Sequence, residues 1–204
     1  MRRSLTLPFL LLALLLPHTV RASETQTLVL FRHAEKPAGD LGQLSCRGLN
    51  RALALPGVLR QHYGQPDFLF APNPAITNHG FSYVRPLATI EPTAIALGMP
   101  VNTAFGFRDI AGLATELEQP RYRQAMVWIA WEHVYITELS RRLLTKYHAD
   151  PQQAAEWKWD DFDGIAVITI QHDGNKTSIR YHHDTQGLNQ QAATCPATTR
   201  AGSD

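Results

Sequence analysis

Thr27-Leu28-Val29-Leu30-Phe31-Arg32-His33 is the stretch from which the rest of the chain can be read. Thr27 and four apolar residues, all tolerated in strands, run without alternation and then stop at a charged pair. That is the pattern of a strand buried on both faces, with polar groups at its carboxyl end. Ala125-Met126-Val127-Trp128-Ile129-Ala130-Trp131 repeats it nearly a hundred residues later, and stops at Glu132-His133. Two buried strands that finish the same way suggest one sheet with its chemistry along one edge.

The intervening residues supply the other elements. Ser45 is suited to cap a helix carrying Leu49, Ala52 and Leu53 at helical spacing, which Pro56 is expected to bend or end. Asp67 to Ala71 reads as a short strand, and the Pro/Asn/Gly-rich segment 72–80 as a loop. Pro86 fits the first turn of a helix reaching Leu97, with Gly98 and Pro100 as the stop. A helix is expected over Tyr135 to Tyr147. Ile165 to Ile170 and Thr177 to His182 are expected to form a hairpin around Asp173-Gly174. Strands alternating with helices predict an α/β sandwich with a mainly parallel sheet, and such sheets bind ligands outside the carboxyl ends of their strands.

Composition adds boundaries. The chain has 204 residues, 44% apolar and 18% charged, with a formal net charge of +1. This suits one domain and gives no global attraction to nucleic acid or an anionic membrane, so no nucleic-acid partner is expected. Arg2 and Arg3, the apolar run from Leu5 to Leu16, and Val20-Arg21-Ala22 predict a signal peptide over 1–22, cleaved between Ala22 and Ser23. An uncleaved anchor is the alternative, although the run is short for a membrane span and no stable insertion is expected. The expected products are a periplasmic or secreted domain over 23–190 and a polar tail over 191–204. Outside the cytoplasm, Cys46 and Cys195 could pair; two separate thiols are the other possibility. Asn175-Lys176-Thr177 matches a glycosylation sequon, which carries no meaning in a bacterial chain.

Arg32, His33, Arg85 and His133 form a chemically coherent set. A phosphoryl group offers nearly two negative charges and several acceptor oxygens, which guanidinium forks match. A neutral imidazole can attack phosphorus and divide hydrolysis into two easier steps. No cofactor is required by this scheme.

These residues also resemble a known family. Phe31-Arg32-His33-Ala34-Glu35-Lys36 looks like the Arg-His-Gly signature of the histidine phosphatase superfamily, which includes the phosphoglycerate mutases. The segment 44–52 (Leu-Ser-Cys-Arg-Gly-Leu-Asn-Arg-Ala) resembles the helix opening that follows the signature. The segment 85–94 (Arg-Pro-Leu-Ala-Thr-Ile-Glu-Pro-Thr-Ala) resembles the one bearing the second phosphate-binding arginine, and Glu132-His133 the second catalytic histidine. The resemblance implies a three-layer α/β/α sandwich of the phosphoglycerate mutase-like type with a mainly parallel mixed sheet. It implies metal-independent hydrolysis of small phosphomonoesters, with His33 as the phosphorylated nucleophile and Arg32, Arg85 and His133 completing the phosphate pocket. Ala34 stands where the family usually has glycine.

The acid that protonates the leaving group is open among Asp109, Glu132 and Glu35, in that order of preference with the first two level. Lys36 could extend the positive mouth of the pocket or lie free on the surface. The large helical insertion of phytases and acid phosphatases is absent, which directs attention to loop 72–80 for specificity. A catalytically weak phosphate or phosphosugar binder on the same fold is the alternative function. A metal site at His172, His182 and His183 is a more distant one, with His172 able to face His182 across the hairpin. Asp160, Asp161 and Asp163 read as a polar loop with one capping role.

Overall fold

The computed structural model describes residues 23–174 and 176–197. The leader with its cleavage point, Asn175 of the sequon and the tail beyond 197 lie outside the described residues. In chain order the elements are β1 (Glu24–Arg32), α1 (Cys46–Tyr63), β2 (Phe68–Phe70), β3 (Thr77–Asn78), β4 (Phe81–Ser82) and α2 (Arg85–Leu97). Then follow β5 (Val101–Asn102), α3 (Ile110–Leu117), β6 (Met126–Trp131), α4 (His133–Lys146), β7 (Gly164–Asp173) and β8 (Lys176–Thr185).

Six strands form one sheet in the order β5-β2-β6-β1-β7-β8, while β3 and β4 make a small separate hairpin. The first three pairings are parallel, and β1–β7 and β7–β8 are antiparallel. This is a mixed, mainly parallel sheet.

The unbroken apolar runs are explained by two covered faces, because successive side chains of a strand point to opposite sides. Leu28, Leu30, Val127 and Ile129 pack with Leu113 of α3 and Ile136, Leu139 and Leu143 of α4. Val29, Phe31, Trp128 and Ala130 pack with Leu55 and Leu59 of α1 and Ile90 of α2. Three layers result, as in the phosphoglycerate mutase-like fold.

Three expectations about elements need correction. The segment 72–80 is not all loop, because Thr77 and Asn78 pair with Ser82 and Phe81 in the small hairpin. Pro56 does not end the first helix: α1 runs 18 residues through it, since the buried face at Ala52, Leu55 and Leu59 stays in phase across the proline. His172 does not face His182, because the turn makes Asp173 pair with Lys176, which puts His172 opposite Thr177 and His182 opposite Val167. The His172 Nδ1 sits 3.0 Å from the Thr177 hydroxyl, and no group of three His, Cys, Asp or Glu among the described residues is placed to hold a metal ion. Cys46 and Cys195 are joined in a disulfide.

Candidate active site

Register brings the site together. β1 and β6 lie side by side and parallel, with Arg32 opposite Trp131, and the His33 amide donates to the Trp131 carbonyl at 2.8 Å. The two polar pairs therefore leave the sheet at the same level, Arg32-His33 from one strand and Glu132-His133 from its neighbour. Arg85 arrives as the first residue of α2. Its amide donates to the Gly42 carbonyl at 3.0 Å. Gly42 has φ +73°, and a Cβ there would meet the Ser82 carbonyl oxygen at 2.1 Å, so only glycine fits this support. Thr89, one turn further on, accepts from the Ala34 amide at 2.9 Å and donates to the Arg85 carbonyl at 2.8 Å, fixing α2 to the loop after β1. Ala34 is fully buried and has no positive φ, so its methyl group is accommodated.

A cavity of about 250 Å³ opens at this edge, lined by Arg32, His33, Arg85, Glu132 and His133, and also by Lys36, Asp40, Asn78, His79, Tyr83 and Arg108. Its donors are conspicuously underused. Arg32 Nε, Arg85 Nε, the Tyr83 hydroxyl and His133 Nδ1 are buried without a hydrogen-bond partner among the described residues. Buried polar groups are normally paired. His133 Nδ1 has the Glu132 carboxylate 2.5 Å away; the other three, around one cavity, point to an anion with several acceptor oxygens as what they are built to meet.

His33 is held in one tautomer. Its Nδ1 lies 2.8 Å from the Ala34 carbonyl, which can only accept, so Nδ1 carries the proton and Nε2 keeps the lone pair. Burial, and then the nearby Arg32 guanidinium, push the imidazole well below its ordinary pKa; the Ala34 contact opposes this and Arg85 adds to it. The ring is neutral at ordinary pH. Arg32 is oriented by the carbonyls of Trp159 and Asp161 and stacks on Phe162 with its guanidinium carbon 4.0 Å from the ring centre. Arg85 pairs with Asp40 and lies over Tyr83. The Tyr83 phenol is pushed well above its ordinary pKa, chiefly by burial and then by Glu132, so it remains a proton donor.

The acid candidates separate clearly. Asp109 is exposed and is not among the cavity-lining residues; its carboxylate caps α3, accepting from the Gly112 amide at 2.9 Å. Glu35 pairs through both oxygens with Arg51, away from the cavity lining. Glu132 lines the cavity. It caps α4 by accepting from the Val134 amide at 2.8 Å, and its other oxygen lies 2.5 Å from His133 Nδ1, too far off the N–H direction for an aligned hydrogen bond. Burial raises its pKa, but His133 and the two capped amides outweigh this and leave it below the ordinary carboxylate value. Lys36 joins the cavity mouth and pairs with Asp40 at 3.5 Å. Asp161 has the capping role expected of its loop, accepting from the Asp163 and Gly164 amides, both at 2.9 Å. Tyr83, Asp40 and Arg108 went unnoticed in the sequence, where none belongs to a pattern that would single it out.

The architecture is that of the phosphoglycerate mutase-like class, and solved structures share it. Rv3214 from Mycobacterium tuberculosis is 12% identical, with 79% of this chain and 98% of that one covered at a TM-score of 0.50. A candidate phosphohistidine phosphatase SixA from Nakamurella multipartitia is 21% identical over 72% of this chain and 85% of that one, TM-score 0.49. The mycobacterial glucosyl-3-phosphoglycerate phosphatase Rv2419c, solved in a complex with VO3, is 16% identical over 78% and 98%, TM-score 0.48. At 12% identity the likeness to Rv3214 is one of fold. No protein-family model matches the sequence, and no curated protein matches it.

Proposed function

We propose that this chain is a histidine phosphatase that hydrolyses small phosphomonoesters through a phosphohistidine at His33. The observation that carries the reading is the His33 ring, fixed with Nε2 unprotonated and set in a cavity lined by the unpartnered donors of Arg32, Arg85 and Tyr83 and by His133. In the first step the Nε2 lone pair forms a bond to phosphorus while the bond to the leaving oxygen breaks. The guanidiniums, His133 and the phenol hold the three equatorial oxygens as charge gathers there. The departing oxygen takes a proton from Glu132. That carboxyl is ionised in the free site, and the neighbouring phosphoryl dianion raises its affinity for the proton it delivers. In the second step water attacks phosphorus, its proton passes to Glu132, and the N–P bond breaks to return neutral His33 and phosphate.

The exported location is part of the same proposal. A disulfide between Cys46 and Cys195 supports an oxidising compartment, as does the leader-like composition of residues 1–22.

The test is a quench during turnover. Mass spectrometry should find an acid-labile, base-stable phosphoryl group on His33. His33→Ala should abolish turnover, and Tyr83→Phe should lower kcat by about a hundredfold, as for loss of one oxyanion donor. The ionised state of Glu132 favours a second reading, a phosphate binder with little turnover. Tight vanadate binding without phosphate release would select it.

A further inference from the structure

A second cavity, about 800 Å³, adjoins the first and shares His133 and Val134 with it. One wall is the exposed side of α4, with Glu138 and Arg141; the other is the segment from Glu156 to Asp160. Trp159 on that segment is 77% exposed and Val134 is 57% exposed, although large apolar side chains in this chain are mostly buried. The backbone under Trp159 is not loose: its carbonyl accepts from Arg32, the guanidinium assigned above to the phosphoryl group. The groove bearing this indole thus adjoins the cavity in which a phosphomonoester would sit on His33.

We infer that this groove receives the leaving group, and that the leaving group is a neutral, hydroxyl-rich ring of the sugar type. The inference rests on the phosphatase reading. Its chemical content comes from the walls. An exposed indole offers a flat, electron-rich face, on which the weakly positive C–H face of a pyranose packs. Glu138, Glu156 and Asp160 supply carboxylate acceptors for hydroxyl groups. Those three carboxylates outnumber the cations Arg141 and Lys158, and Arg141 already donates to the Ala154 carbonyl at 2.9 Å. The lining is therefore slightly negative and offers an anionic leaving group no net attraction. A purely apolar one would bury these charges without partners.

Steady-state kinetics on a matched set of primary phosphates tests this: mannose 6-phosphate, ethyl phosphate, 3-phosphoglycerate and phenethyl phosphate. Mannose 6-phosphate should have the highest kcat/KM, exceeding ethyl phosphate by tenfold or more. In Trp159→Ala that ratio should fall by about tenfold, mainly through KM, while Trp159→Tyr keeps most of it. The inference is overturned if 3-phosphoglycerate or phenethyl phosphate is preferred, or if Trp159→Ala leaves the ratio intact. Wild-type protein that releases phosphate from none of the four would instead sink the phosphatase reading, so the two failures are distinguishable.

Discussion

His33 must be neutral to attack and yet lie among cations, and the protein meets both demands by burial. The proton it refuses has a thermodynamic cost elsewhere. An unfolded chain protonates this imidazole near a pKa of about 6.5, whereas the folded chain holds it well below. Between those two values the unfolded state binds more protons, so the stability present above pH 6.5 is lost progressively as pH falls toward the folded value. We expect thermal melts of the wild type to lose more stability over this window than those of His33→Gln. We also expect the acid limb of kcat/KM that belongs to His33 to lie below pH 6.5; a limb at or above that value contradicts the burial argument. The sequence made Arg32, His33, Arg85 and His133 legible because each polar residue interrupts an apolar run or opens a helix. Asp109 carries a different signal. Ile110, Leu113, Ala114 and Leu117 follow it at helical spacing, so the residue is an N-cap by the same rule that identified Ser45. Tyr83 had no such context, since it lies on a loop before α2 and acquires meaning only from what surrounds it.

Helix α1 earns its place through Arg51, which is 1% exposed and bonds Glu35 in the loop after β1, Asp163 before β7, and Gln186 and Asn189 after β8. One guanidinium thus joins segments from both ends of the domain behind the catalytic edge. Replacing it alone leaves two carboxylates facing each other without their cation. Arg51→Met should therefore cost about 3–5 kcal/mol in urea unfolding, and Arg51→Lys most of that, since an ammonium cannot reproduce the paired contacts. The longer elements were readable because their apolar periods are strong: β1, β6, α2, α4 and the β7–β8 hairpin stand close to where the sequence put them. Strands β3, β4 and β5, with two residues each, and α3, with eight, have no counterpart in the sequence reading. The two-residue strands are too short to display a period, whereas α3 does show one, in Ile110, Leu113, Ala114 and Leu117.

Across the whole molecule the covalent link from Cys46 to Cys195 spans 149 residues and fastens the segment after β8 to the first residue of α1. Asn50 on the same helix adds contacts to the Ala192 and Thr194 carbonyls at 2.9 and 2.8 Å. Reduction, or Cys46→Ser with Cys195→Ser, should lower unfolding free energy by about 2–4 kcal/mol, read from urea midpoints with and without reductant. Turnover at low temperature should persist, because neither sulfur lines the cavity. The sheet order has its own consequence. β1 is made early, yet its two neighbours are β6 and β7, so Leu28 must wait for Val127 on one side and Ile168 on the other. A nascent chain cannot seat its central strand until most of it has left the ribosome. Folding should be slow and late, dominated by distant pairings, and the chain should stay threadable for much of its synthesis.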